Sequence, residues 1–304
     1  MDYTLNQLKV FLKVVEKQSV TKASEELHLT QPAVSIQLKK FQEEFDIPLT
    51  EVIGRQLYVT DFGKEIAASG QKILDEVWAM HHKAAAYKGF LTGQLKISAV
   101  STGKYVMPYF LADFSQKHPG IELSIDVTNK SKVLTQLEQN KIDFALVSVL
   151  PEHIQVKRVE LMQNKLYMIR KRFKESVEAV YKAGEVPLIY REKGSATRQA
   201  MENYVKSYNI SSKKSIELTS NEAVKQAVMA GLGYSVMPLI GIKNELLNNS
   251  LEIVSIKGLP ITTYWNLIWL KEKQLSPIAE AYLQFIGTHK SAVIEEHFNW
   301  YEKY

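Results

Sequence analysis

Apolar residues recur at Leu5, Leu8, Phe11, Leu12 and Val15, the three-and-four spacing of a helix that buries one stripe. A second helix is predicted to run to about Leu27, with Ser19 or Thr21 as its cap. Thr30 can cap a third, because its hydroxyl accepts from a free first-turn N–H, and Pro32 sits in that turn where a missing N–H costs little. Val34, Leu38, Phe41 and Phe45 supply its buried face. Ile47 to Thr60, with Pro48, Gly54 and two short apolar segments, fits a small two-stranded wing. Asp61 to Lys88 then runs without proline, and Ile66, Gly70, Ile73, Val77, Met80, Ala84 and Tyr87 alternate in steps of four and three. That is a heptad seam, the pattern of a helix paired along its length, here roughly 40 Å at about 1.5 Å per residue. The plainer alternative is one amphipathic helix lying on its own domain.

Beyond Thr92-Gly93 the period changes. Strand patterns at Gln94–Val100, Glu122–Asn129 and Phe144–Val149 alternate with helical ones at Val106–Lys117 and Ser131–Asn140. The alternation resumes at Pro187–Tyr190, Thr197–Tyr208, Ser215–Leu218, Asn221–Ala230 and Tyr234–Pro238, and ends with a strand at Thr262–Leu270 and a helix at Ser276–Thr288. Strands separated by helices of this length imply parallel pairing with crossover connections, in two α/β units. The aromatic tail from Ser291, with Phe298, Trp300, Tyr301 and Tyr304, can pack on the body or on another subunit; the pattern does not choose.

Composition narrows the function classes. The 304 residues suit two domains, and 45% hydrophobic with 23% charged residues is ordinary for a globular protein. Cysteine is absent, which excludes disulfides, thiolate metal sites and cysteine redox chemistry. The N-terminus shows no secretory pattern and no stretch is long and apolar enough to span a membrane, so a soluble cytoplasmic protein is expected. The net charge of +5 permits a nucleic-acid partner without demanding one. It is unevenly spread: residues 1–90 carry 11 Lys+Arg against 12 Asp+Glu, and the excess lies in the remainder.

Residues 19–45 read as a helix-turn-helix. Ala23 is small where two helices cross, and Leu27 and Leu29 bracket the turn. Gln31, Ser35 and Gln37 offer amides and a hydroxyl at the start of the second helix, suited to base edges in a major groove. Lys39 and Lys40 can reach phosphates, and Arg55 in the wing can reach phosphate or the minor groove. The run from Ser19 to Ser35, with its Thr30-Gln31-Pro32-Ala33-Val34-Ser35 string, resembles the winged helix-turn-helix of LysR-type transcriptional regulators. Pro48-Leu49, Arg55, Thr60 and Gly63 continue the likeness. Two departures stand out: Ile36 replaces a commonly basic residue, and Leu49-Thr50-Glu51-Val52 replaces the usual Leu-Phe-Glu-Arg.

The resemblance implies an α+β multidomain chain: an N-terminal winged helix-turn-helix (1–60), a long linker helix (61–91) and a two-lobed, periplasmic-binding-protein-like α/β effector domain (92–304). Its lobes would comprise about 92–164 with 266–304, and about 165–265. It implies a double-stranded DNA operator, a homodimer through Ile66, Ile73, Val77, Met80 and Tyr87, and assembly into a homotetramer. Thr30 and Pro32 join the DNA-facing set.

In the second half, Ser101-Thr102-Gly103 follows the first strand, and Gly194-Ser195-Ala196-Thr197-Arg198 opens a helix. Both offer hydroxyls, free N–H groups and the positive end of a helix dipole, a receptor for a small anion. Pro108, Phe114, Pro119, Leu137, Asp143, Ala145, Gly231, Gly233 and Pro238 fall where LysR-type effector domains have similar residues. Arg191 to Arg198 resembles the Gly-Ser-Gly-Thr-Arg loop of a branch that includes regulators of carbon fixation and sulfur assimilation, with Ala196 for the second Gly. By position the resemblance nominates Ser101, Thr102, Ser148, Ser195 and Thr197 as effector contacts, with Asn129 and Ser220 outside them. The competing role for these groups is helix capping or a local turn.

A different class, a cytoplasmic solute-binding protein or enzyme with a helical docking module, would use the same cleft. No catalytic set, metal-ligand pair or nucleotide-type Gly loop supports it, so no catalytic residue, metal or cofactor is expected. His81-His82 are adjacent on a helix and diverge.

Overall fold

In the computed structural model of the chain, residues 3–54, 56–87, 91–172, 187–210, 212 and 214–304 are described, with backbone alone at 79 and 81–87. Contacts divide it into two units, Met1–Gly89 and Phe90–Tyr304.

The first unit begins with α1 (Leu5–Lys17), whose capping box pairs the Thr4 hydroxyl with the Gln7 N–H and the Gln7 carboxamide with the Thr4 N–H. Helix α2 (Val20–Leu27) is capped by Ser19 and ends at His28, which takes the left-handed conformation at φ 53° and turns the chain. Helix α3 (Gln31–Gln42) follows. Leu8, Phe11, Val14, Ala23, Val34, Leu38 and Phe41 form the core where these helices cross. Strands β1 (Thr50–Ile53) and β2 (Gln56–Val59) pair antiparallel as the wing. Arg55 lies outside the described residues.

Thr60 closes the wing onto α4 (Asp61–Tyr87). Its hydroxyl donates to the Pro48 carbonyl at 2.7 Å and accepts from the Gly63 N–H at 2.9 Å. A Cβ on Gly63 would sit 2.0 Å from the Leu49 carbonyl oxygen, so that first turn passes the wing only as glycine. Further along, Ala67 and Leu74 are buried and Ile66 is partly buried against the domain's own core. A Cβ on Gly70 would meet Leu8 Cδ1 at 2.6 Å. The expected seam therefore divides: Ile66 packs on the domain's own core and Gly70 faces α1, whereas Ile73 and Met80 are 43% and 69% exposed. Val77 is half-buried, and the Tyr87 side chain lies outside the described residues.

The second unit contains β3 (Gly93–Val100), α5 (Met107–Lys117), β4 (Ile121–Thr128), α6 (Lys130–Glu138), β5 (Phe144–Val147) and β6 (Val156–Lys171). Then come β7 (Leu188–Arg191), α7 (Ala196–Ser207), β8 (Ser215–Leu218), α8 (Asn221–Ala230), β9 (Ser235–Pro238), α9 (Lys243–Leu247), β10 (Leu251–Ile253), β11 (Ile261–Leu270) and α10 (Pro277–Phe298). β4, β3 and β5 run parallel, as the helical crossovers require. β7 pairs parallel with β8. Strand β6, whose pattern the sequence reading passed over, spans 16 residues and pairs antiparallel with β11, β9 and β10. Its register with β11 shifts between Tyr264 and Asn266, where Trp265 is fully buried and the Asn164 amide donates to the Thr263 hydroxyl at 3.0 Å.

Helix α10 continues ten residues past the expected end at Thr288, because Val293 and Phe298 give it a further buried face. The tail packs on its own body. Phe298 meets Tyr109 edge-on and Tyr301 is buried. Lys165 Nζ donates to the carbonyls of Tyr301 and Tyr304 at 3.3 and 3.0 Å, and the Tyr167 hydroxyl donates to the Tyr304 carbonyl at 2.8 Å. No helix of the described residues is long and apolar enough to cross a membrane.

Candidate functional site: a helix tip for DNA and a cleft for an anion

In the first unit, the Thr30 hydroxyl accepts from the Ala33 N–H at 3.4 Å and starts α3, with Pro32 in the first turn. Val34, Leu38 and Phe41 turn inward, so the opposite face is outward by helical geometry. Thr30, Gln31, Pro32, Ser35, Lys39 and Lys40 are exposed, and Gln37 is half-buried at the flank. Lys39 lies 3.8 Å from Glu43, too exposed a pair to hold it away from a phosphate. The face can donate and accept hydrogen bonds at its N-terminal end and carry positive charge at its C-terminal end. At its centre stands Ile36.

In the second unit, β3 and β7 deliver their C-terminal ends to one place. After β3 the chain enters a 3₁₀ turn, Ser101–Tyr105, made possible by Gly103, whose absent Cβ would lie 2.9 Å from Leu146 Cδ2. β7 ends at Arg191, only 3% exposed. Its Nη2 donates to the Ser101 hydroxyl at 3.2 Å, and the Asn221 amide donates to the same oxygen at 3.4 Å. Nε and Nη2 also meet the Glu192 carboxylate at 2.8 and 2.9 Å. Nη1 of Arg191 and Oδ1 of Asn221 are buried without a protein partner.

Thr102, Ser195 and Thr197 are buried, and Ser148 is half-buried directly after β5. The Ser195 hydroxyl caps α7 at the Arg198 N–H. Gly194 has φ 87°, and a Cβ there would come within 3.9 Å of Ser131 Cβ, so this loop faces the first turn of α6. In that turn, burial holds the Lys130 ammonium below its ordinary pKa, opposed by Glu152. Asn129 caps α6 through the Lys132 N–H at 3.0 Å, and Ser220 caps α8 through the Ala223 N–H at 3.0 Å. Arg198 is engaged within its own segment, with Glu202, Glu217 and the Arg191 carbonyl.

Arg191 and Asn221 are the members the sequence reading did not nominate. Arg191 had a signal: a charged residue ending the apolar run Leu188-Ile189-Tyr190 occupies a position whose alternation points inward. Asn221 had none, since Ser-Asn before a helix reads as capping.

Comparison with known proteins covers both regions. A LysR substrate binding domain model matches residues 88–291, and a lysR-family bacterial regulatory helix-turn-helix model matches residues 5–64. The chain is 34% identical to the HTH-type transcriptional activator CmpR of Synechocystis sp., over 95% of this chain and 97% of that protein. It is 36% identical to the RuBisCO operon transcriptional regulator of Allochromatium vinosum, over 94% and 96%. Among solved structures, the regulatory domain of CcmR from Synechocystis PCC6803 in complex with 2-PG is similar with TM-score 0.60 and 32% identity, over 67% of this chain and 99% of that one. Full-length CbnR, solved with its target DNA, shares the fold at TM-score 0.61, over 93% of this chain and 99% of that one, with 22% identity.

Proposed function

Because the chain belongs to the LysR family of bacterial DNA-binding transcriptional regulators, we propose that its operator binding is governed by a small anion held between the Ser101 turn and the Arg191–Thr197 loop. The observation that carries this is the Arg191 guanidinium, buried with its Nη1 lacking a protein acceptor while Nη2 reaches the Ser101 hydroxyl. A buried guanidinium N–H without an acceptor is costly, and an anionic oxygen supplies the acceptor as a charge-assisted bond. Thr102, Ser148, Ser195 and Thr197 supply hydroxyls to it, the α7 N-terminus adds its positive end, and Asn129 and Ser220 are the outer members. Since Ser101 and Arg191 come from different segments of the α/β unit, an anion joining them favours the arrangement in which they meet. Regulation requires that preference: a ligand bound equally in both arrangements shifts nothing. The regulator works in the cytoplasm, where its operator is. Ile73, Val77 and Met80 of α4 supply the homodimer contact, and dimers pair into a tetramer.

CcmR's regulatory domain holds 2-PG, so 2-PG is the first probe. Titration calorimetry on the full chain is expected to show binding that Arg191→Lys and Ser101→Ala each weaken by about tenfold or more. Operator affinity without ligand should stay as in the parent. Unchanged 2-PG affinity in both variants would remove this cleft from the reading.

A further inference from the structure

The exposed face of α3 has an apolar centre. Val34 and Leu38 are buried, and Ile36, midway between them, points roughly 180° away at about 100° per residue. It is 55% exposed, the residue of α3 turned most squarely from the core. One turn before it on the same line is Pro32, exposed, and one turn after it is Lys40, also exposed. Ser35 and Lys39 flank this row. The row thus runs from apolar to cationic, starting at the helix end that enters a groove.

We propose that Ile36, with Pro32 behind it, reads the 5-methyl group of thymine in the operator. The inference rests on the reading that α3 lies in the major groove. An isoleucine can neither donate nor accept a hydrogen bond, so it cannot recognise guanine, adenine or cytosine by their polar edges. The apolar feature on the major-groove floor is the thymine methyl. Lys39 and Lys40 on the same face favour a polyanion over an apolar protein as occupant. Each half-site should therefore carry an A·T pair under Ile36, its thymine methyl packed on the isoleucine. At this position affinity would depend on that methyl rather than on a bond to the base edge.

Deoxyuridine tests this, since it lacks the methyl and keeps thymine's hydrogen-bonding edges. The full chain selects its operator from random duplexes, and each thymine of a half-site is then replaced in turn by deoxyuridine. The parent should lose roughly three- to tenfold in affinity at one or two positions, the scale of one buried methyl. Ile36→Ala should bind the thymine operator more weakly and be indifferent to that replacement. Ser35→Ala should weaken binding yet keep the full methyl effect. Ile36 is outside the core, so an unchanged melting temperature is expected for Ile36→Ala. A parent indifferent to every replacement overturns the inference, as does a methyl effect that survives in Ile36→Ala. If the parent selects no sequence, or Gln31→Ala and Ser35→Ala both bind as the parent does, the groove reading itself falls. If Ile36→Ala binds the operator normally but loses transcription activation, the residue serves a protein partner and the inference falls alone.

Discussion

Single atoms decide two features of this chain. At Gly63 the space for a Cβ is taken by the Leu49 carbonyl 2.0 Å away, so Gly63→Ala must push the wing off α4. The expected result is a loss of roughly 1–3 kcal/mol in the first unit. A melt that separates the two units should show only the first shifted. At Arg191 polarity rather than volume decides. Thr197→Val keeps the side chain's shape and removes a buried hydroxyl from the first turn of α7. Calorimetry should show a weaker anion and an unaltered melting temperature for the unliganded protein; an unchanged affinity would exclude that hydroxyl from the site. The residue scale is also where the sequence was least explicit. The candidate polar side chains were visible as residue types, but Asn129, Ser195 and Ser220 each cap a helix, and capping and ligand binding demand the same side chains.

At the scale of elements, α4 and α10 are read incompletely from periodicity alone. The heptad spacing in α4 is real, yet Ile66 packs on the domain's own core and Gly70 faces Leu8 and Leu12 of α1. A three-four repeat specifies a stripe and not what covers it. Ile73 and Met80 remain outward, so Met80→Asp combined with Ile73→Asp should convert the dimer to a monomer in sedimentation without lowering the helix content. A dimer that persists would move the interface elsewhere. In α10 the continuation beyond Thr288 depends on Phe298 finding Tyr109 and Phe110 nearby, with Val293 also buried. The family model ends at 291, so Phe298 and Tyr301 lie beyond the stretch it matches. Truncation after Ser291 removes the buried Val293, Phe298 and Tyr301 and should cost roughly 5–9 kcal/mol, at the usual value for each, with a lower denaturation midpoint. An unchanged midpoint would show the tail to be energetically idle.

For the whole molecule, charge distribution bears on how tightly it can hold DNA. Residues 1–90 carry no basic excess, and Lys39, Lys40 and Arg55 are the candidate phosphate contacts. Six such contacts in a dimer give a slope of roughly −5 for log affinity against log salt. A slope beyond about −8 would show that other basic surface joins in. The modest electrostatic share gives base-edge and methyl contacts more weight in selectivity, and it makes joint binding by several subunits valuable through effective concentration.

The helices of the first unit and the alternation of the second were legible along the chain. Each is specified by a local rule: a period, a cap, a breaker, a charged residue out of place. Strand β6 escaped because its two ends serve different neighbours, β11 first and then β9 and β10, and no single alternation runs its length. The destination of the aromatic tail and the inward turn of Gly70 escaped for a related reason. A side chain's burial depends on which distant surface arrives opposite it, and that is a property of the folded chain. Arg191 is the clearest case. Its charge is written in the sequence, but its burial against Ser101, 90 residues away, exists only once β3 and β7 have been brought together.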